Sequence, residues 1–213
     1  MTELVQALPM AVLLTLAVTA TSFAIGAVLA VPLMLARVSK SAVLSTAARV
    51  VIESIRGVPA IVWLFIVYFG IRFGDLRFDP FTSAVLALGL IAAVYLAEIY
   101  RGGYLAVAEG QHEAAQAIGL SGRDQLVFVV APQAARACLP SITSYGLGLL
   151  KDSSLASTIG VSEIVFVSTA AARVTTDGVL PFTVAVGIYL TLSVPLAILA
   201  RSFDAWSRRK VAA

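Results

Sequence analysis

The chain has 213 residues, of which 60% are hydrophobic and 13% charged, and its formal net charge at pH 7 is +3. A soluble domain of this length is about half apolar and about a quarter charged, so composition excludes an ordinary soluble enzyme and points to an integral membrane protein. One cysteine, Cys138, and one histidine, His112, exclude an internal disulfide, most cysteine metal sites and a histidine-based metal centre.

The apolar stretches are continuous and rich in Leu, Ala and Val. They lack the alternation of barrel strands, so the spans are expected to be helices. Leu4 to Ala36 carries no charge and is longer than one crossing needs, which predicts a tilted helix with an interfacial start. The first basic residue is Arg37, so the positive start of a cleavable signal peptide is not expected. A second span is expected over Gly57 to Ile71, extended backwards through "AVLSTAARVVIESIR". Arg49, Glu53 and Arg56 lie four and three apart there and share a helix face. They form a self-neutralising ion trio, or else Glu53 or Arg56 lies on a solute path. Gly57 to Pro59, "GVP", predicts a kink just above them.

Pro80 to Ala97 is a third span, ending in Glu98 and Arg101, which read as a helix-end ion pair. "GQHEAAQAIGL", Gly110 to Leu120, follows as the most polar stretch of the chain. Gln111 to Ile118 suits two helical turns, with Gly119 as the stop and Glu113 in the first turn. Ala114, Ala117 and Ile118 share a face small enough for a close approach. The segment is either a surface helix joining two spans or a docking element for a partner.

Ala137 to Leu150 is a short fourth span that runs on into "KDSSLASTIGV". Counted from Arg136, Lys151 and Asp152 lie about 22 Å along it, beyond the midplane. Each is expected to pair with another span or to line a polar cavity, with the hydroxyls of Ser153 and Ser154 beside them. Ser162 to Val174 reads as a short re-entrant or surface helix, and Gly178 to Ala200 as the fifth span. Arg37, Lys40, Arg101, Arg123, Arg136, Arg201, Arg208, Arg209 and Lys210 then fall on one side. The positive-inside rule makes that side the cytoplasm and puts the N-terminus outside. The opposite loops hold Arg72, Arg77 and Arg173, offset by Asp75, Asp79 and Asp177. A single multi-pass domain over residues 1–213 is expected.

"EAAQAIGLSGRDQLVFVVAP", Glu113 to Pro132, resembles the EAA motif of ABC importer permeases. Glu113, Ala114, Ala115, Gly119, Val129 and Pro132 fit the motif; Ala131 replaces its leucine, and His112 stands where the amino acid branch has an aromatic residue. "ESIRGVPAIVWLFIVYFG", "AEIYRGGYLAVAEGQHEAA" and "LKDSSLASTIGVSEI" resemble the blocks of the polar amino acid permeases. The resemblance implies an all-α type I permease fold in the bacterial inner membrane, with an EAA coupling loop over about residues 109–132. It implies that Gly110, Glu113, Ala114, Ala115, Gly119 and Pro132 engage a separate ATPase subunit. It further implies a second permease subunit, identical or sister, and an extracytoplasmic solute-binding protein. Glu53, Arg56, Lys151, Asp152, Ser153 and Ser154 are the candidate path residues.

No Gly-x-x-x-x-Gly-Lys-Ser/Thr loop is present, so the chain is not expected to hydrolyse ATP itself. A membrane hydrolase built on Lys151, Ser153 and Ser154 is disfavoured, because neighbours on a helix diverge and Gly-x-Ser-x-Gly and His-Glu-x-x-His are absent. A standalone ion-coupled carrier or channel remains the alternative class; it ordinarily has more spans or internal repeats. No cofactor, metal or nucleic-acid partner is expected.

Overall fold

The computed structural model describes residues 2–73, 76–174 and 178–211. Asp75 and Asp177, two of the acidic loop residues in the charge count, lie outside the described residues. The long uncharged runs form helices α1 (Thr2–Arg37), α4 (Pro80–Leu105) and α9 (Leu180–Val211). Among the described residues four helical segments are long and apolar enough to cross a membrane: Gln6–Arg37, Pro80–Leu105, Gly122–Ile159 and Leu180–Ile198. The third is far longer than Ala137 to Leu150, because α6 (Gly122–Asp124), a π-helical stretch (Gln125–Val130), α7 (Ala131–Asp152) and a 3₁₀ stretch (Ser153–Ile159) join end to end. Pro132 has no N–H to donate to the preceding turn, and the wider π turn just before it absorbs that defect.

The second span is not straight. α2 (Ala42–Arg56) and α3 (Ala60–Phe65), continued by a π turn to Gly70, meet at 95°. The chain reaches a fifth span only if this bent pair is one. Pro59 forces the break, since proline cannot continue an α-helix and restricts Val58 before it. Trp63 Nε1 donates to Ile55 O at 3.0 Å, beside the long 3.5 Å bond from Val58 N to the same carbonyl at the break. A short antiparallel pair, β1 (Arg72–Phe73) with β2 (Leu76–Arg77), then turns the chain back. Asp79 caps α4: its carboxylate accepts from Thr82 N at 3.1 Å and Thr82 Oγ1 at 2.5 Å, which holds its pKa below the ordinary carboxylate value.

α4 is the central helix. Its fully buried Ala84, Ala87, Ala92, Val94, Leu96 and Ala97 pack against α1, α2, α3 and α7. α1 presents a buried stripe of mostly small residues at helical spacing, Ala11, Thr15, Val18, Ser22, Gly26 and Ala30. A Cβ on Gly26 would collide with the Ala92 methyl, and one on Gly89 would come within 3.2 Å of Ile25. Lipid tails are as apolar as leucine, so helices in a bilayer associate through such close small-residue packing rather than through burial of large side chains. The large apolar side chains point outward instead; Leu13 and Val28 are 60% and 71% exposed.

α8 (Ile164–Val174) is a short apolar helix of 11 residues, as expected for a segment that does not cross. Glu163 is fully buried at its start. Its carboxylate accepts from Phe166 N at 2.8 Å and from the Tyr189 hydroxyl of α9 at 3.1 Å. The acidic residue that interrupts the run in sequence is therefore the cap that fastens α8 to α9.

Candidate functional site

The first site is the polar loop. α5 (Glu109–Ala117) is a nine-residue helix between the spans of α4 and α7. Ile118 ends it and Gly119 follows at φ +79°, the left-handed conformation that favours glycine. Gly119 N donates to Gln116 O at 2.9 Å and Leu120 N to Ala115 O at 3.1 Å, the two bonds of a Schellman stop. Ser121 immediately caps the next helix: its Oγ accepts from Asp124 N at 3.2 Å and donates to Asp124 Oδ2 at 2.7 Å. Only Gly119 and Leu120 separate the stop from that cap, so the loop has little slack.

α5 begins two residues earlier than the sequence suggests, and Glu109 takes the first-turn position expected of Glu113. Ala115 is the buried residue of the helix, with 2% of its surface exposed. Gly110, Glu113, Ala114, Ala117 and Ile118 are exposed, so the small-residue face is open. Pro132 is exposed too but belongs to α7, so the motif spans two elements.

The second site is a pair of clefts along α2, α4 and α7. One, of about 460 Å³, is lined by Arg56, Tyr95, Glu98, Gly102, Cys138 and Ser141 among others. The adjoining one, of about 350 Å³, shares Arg56 and Tyr95 and adds Ser144, Tyr145, Gly148 and Asp152. The Arg56 guanidinium lies 5.0 Å from the centre of the Tyr95 ring, and Tyr95 stacks on Tyr145 at 5.5 Å. The face thus carries a cation held on aromatic rings at one edge and a carboxylate at another.

The structure brings Arg56 and Asp152 to one cleft and separates the other candidates from it. Arg49 and Glu53 share the exposed face of α2, while Ala48, Ile52 and Ile55 form its buried face. No ion pair joins Arg49, Glu53 and Arg56, so the self-neutralising trio does not form; the three side chains are exposed and Arg56 turns to Tyr95 instead. Lys151 is exposed and does not line either cleft. Ser153 is fully buried and its hydroxyl donates to Leu150 O at 2.7 Å; Ser154 is half-buried, and its carbonyl accepts from the Ser157 hydroxyl at 2.7 Å.

The expected helix-end pair does form: Arg101 Nη2 lies 2.8 Å from Glu98 Oε2. Sequence reasoning missed its third member, Arg37, whose Nε is 3.4 Å from Glu98 Oε1. It also missed Tyr95, Tyr145 and Gln125. The tyrosines read as ordinary aromatic residues of a span. Gln125 alone carried a signal, being a polar residue at the head of an apolar run.

This arrangement of helices is the transmembrane subunit fold of ABC importers. The chain superposes on the structure "Crystal structure of an amino acid ABC transporter with histidines" with a TM-score of 0.87 and 28% identity, covering 96% of each chain. It also shares its fold with a MetNI methionine ABC transporter in an inward-facing form, at TM-score 0.81 and 17% identity, covering 97% of this chain and 99% of that one. The chain belongs to the family described as "Binding-protein-dependent transport system inner membrane component", which matches residues 22–209. Among curated relatives it is 38% identical to the octopine transport system permease OccM of Rhizobium radiobacter, over 89% of this chain and 80% of that protein. It is 39% identical to the L-cystine transport system permease TcyB of Bacillus subtilis, over 70% of this chain and 64% of TcyB, so the chain spans just under two thirds of that relative. The glutamine transport system permease GlnP of Escherichia coli K12 is 41% identical over 55% of this chain and 54% of GlnP.

Proposed function

We propose that this chain is the permease subunit of an ATP-driven importer of polar amino acids or related zwitterions. It forms the path through the inner membrane, with its C-terminus cytoplasmic. A separate ATPase subunit hydrolyses ATP and docks on the loop of α5 through Gly110, Glu113, Ala114, Ala115, Gly119 and Pro132. A second permease, identical or sister, faces the clefts of α2, α4 and α7, and an extracytoplasmic binding protein delivers the solute.

One observation carries this reading. α5 is a short helix held between a Schellman stop and two spans, with Gly110, Ala114 and Ala117 exposed and Ala115 anchoring it. A surface that opens onto small side chains and is fixed at both ends can receive a partner and pass on its displacement. The relatives named for octopine, L-cystine and glutamine support the solute class. Arg56 and Asp152 support it chemically, since a zwitterion needs a cation for its carboxylate and an anion for its ammonium.

The test is purification of the complex from membranes and its reconstitution into vesicles. Uptake of a polar amino acid that requires ATP, together with ATPase activity lost on Glu113→Lys, is the expected result. Uptake by the chain alone without ATP overturns the reading in favour of a standalone carrier.

A further inference from the structure

Between α5 and the two flanking spans lies a polar joint that neither the family motif nor the clefts account for. Gln125, the first residue of the π-helical stretch, is buried with 9% of its surface exposed. Its amide nitrogen lies 2.8 Å from His112 Nδ1 and 3.4 Å from the His112 carbonyl oxygen. A primary amide offers two N–H donors, and the carbonyl oxygen can only accept. The orientation that serves both contacts makes His112 Nδ1 the second acceptor and puts the imidazole proton on Nε2. The imidazole packs edge-on against Tyr104, in the last turn of α4, at 5.8 Å between ring centres. Eight residues further on, at the start of α7, Gln133 Nε2 donates to Gln111 Oε1 at 3.1 Å and to Val129 O at 3.0 Å.

We propose that Gln125 is a positioning residue for energy coupling: by clasping His112 it locks α5 to the head of the α6–α7 rod, while His112 against Tyr104 locks the same helix to α4. This rests on the reading of α5 as the docking element. The physical case is one of stiffness. Three elements meet at one imidazole, and the rod that starts at Gln125 runs without a break to Asp152 in the cleft. α4, held by Tyr104, carries Tyr95 of the same cleft. A push on α5 therefore reaches both walls of the cleft only if α5 cannot slide on the rod. The joint depends on the imidazole, because a phenyl ring in place of His112 offers Gln125 no side-chain acceptor and leaves only the long contact to the backbone carbonyl.

The experiment uses the whole complex in vesicles, with three variants of this chain: Gln125→Leu, His112→Phe and Gln125→Glu. The readout is solute moved per ATP hydrolysed, with a photo-crosslinker at exposed Gln116 reporting contact with the ATPase. Losing a buried hydrogen-bonded joint is expected to lower that ratio by about fivefold or more in Gln125→Leu and in His112→Phe while the crosslink persists. Gln125→Glu can still accept from the imidazole N–H once its proton moves to Nδ1, but it sets a carboxylate oxygen against the His112 carbonyl, so it is expected to retain only part of the parent ratio. Combining Gln125→Leu with His112→Phe adds little to either alone. An unchanged ratio in His112→Phe, which alters only a half-buried side chain and is not expected to disturb folding, overturns the proposal, as does independent, multiplicative loss in the double variant. Absence of any crosslink in the parent complex instead overturns the docking reading and leaves the two failures distinct.

Discussion

Arg37, the last residue of α1, reaches Glu98 on α4 at 3.4 Å, and with Arg101 it encloses one carboxylate between two guanidinium groups. Arg37 is also held from α2, because its carbonyl accepts from the Ser45 hydroxyl at 2.9 Å. Three helices thus meet at a charge cluster whose side chains are 20–30% exposed. Glu98→Gln leaves two cations facing each other with no counter-charge. The expected loss is about 1–3 kcal/mol, between the small value of an exposed pair and the large value of a fully buried one. Arg101→Gln costs less, because Glu98 keeps Arg37. Thermal unfolding in detergent checks this, and an unchanged midpoint for Glu98→Gln removes the cluster from the account of stability.

Adjacent glycines on α4 are expected to behave oppositely. A Cβ on Gly103 would clash with Cys138 Sγ and lie 2.7 Å from Ala134 O, whereas one on Gly102 meets nothing within 4 Å. Gly103→Ala therefore forces α4 and α7 apart and is expected to cost about 1–3 kcal/mol, as overpacking does. Gly102→Ala relieves only backbone freedom and is expected to stabilise by up to about 1 kcal/mol. Unfolding midpoints of the two variants in one detergent separate them. Similar midpoints refute the close approach of the two helices.

At Gly119 the constraint is the backbone alone. The φ of +79° lies in the left-handed region, and no neighbour stands within 4 Å of a Cβ there. Gly119→Val is expected to cost about 1–2 kcal/mol through that conformation and to unfasten the stop after α5. Gly119→Asn, which tolerates the left-handed region, keeps most of the function. ATP-dependent uptake in vesicles is the measurement, and equal uptake by the valine and asparagine variants contradicts a strain-based role.

Much of the architecture was legible because membrane helices announce themselves. The uncharged runs of α1, α4 and α9 are long enough to fix their identity, and Gly119 marks a helix stop by residue type alone. The bend after Arg56 was readable as a kink from Gly57 and Pro59, but not its 95°, which depends on how Trp63 returns to Ile55. The Arg49, Glu53 and Arg56 spacing put all three on one face correctly, yet spacing does not say whether such residues turn to each other or to a neighbour such as Tyr95. Arg37 and Gln125 escaped for a related reason. Their partners, Glu98 and His112, lie 61 and 13 residues away along the chain, and only the packing of the helices joins them.

Orientation follows from the distribution of basic residues and has a direct test. A reporter fused after Lys210 is expected to read cytoplasmic, and one inserted near Asp75 external. The bent α2–α3 pair must then count as a crossing, since four straight spans alone return the C-terminus to the side of the N-terminus. A reporter at the N-terminus that reads on the side opposite the one at Asp75 contradicts that count, because only the bent pair and α1 lie between them.

The clefts make the last prediction, and they sort the intramembrane charges into two groups. Arg56 lines both clefts and Asp152 one of them, while Glu53 and Lys151 line neither. If the clefts hold a zwitterion, Arg56→Gln and Asp152→Asn each remove one of its two charge contacts, at about 1.5–3 kcal/mol apiece for a charge-assisted bond. Transport of a polar amino acid is then expected to fall by about tenfold or more in each, with the complex still assembled. Glu53→Gln and Lys151→Gln stay near the parent level. A charge-swapped Arg56→Asp with Asp152→Arg is not expected to restore transport, because the guanidinium would lose its place over Tyr95 and the substrate would meet both charges reversed. Uptake of two competing amino acids with opposite side-chain charge gives the readout. Rescue by the swap would make the two residues a structural pair, and equal losses at Glu53 and Asp152 would place the path elsewhere than in these clefts.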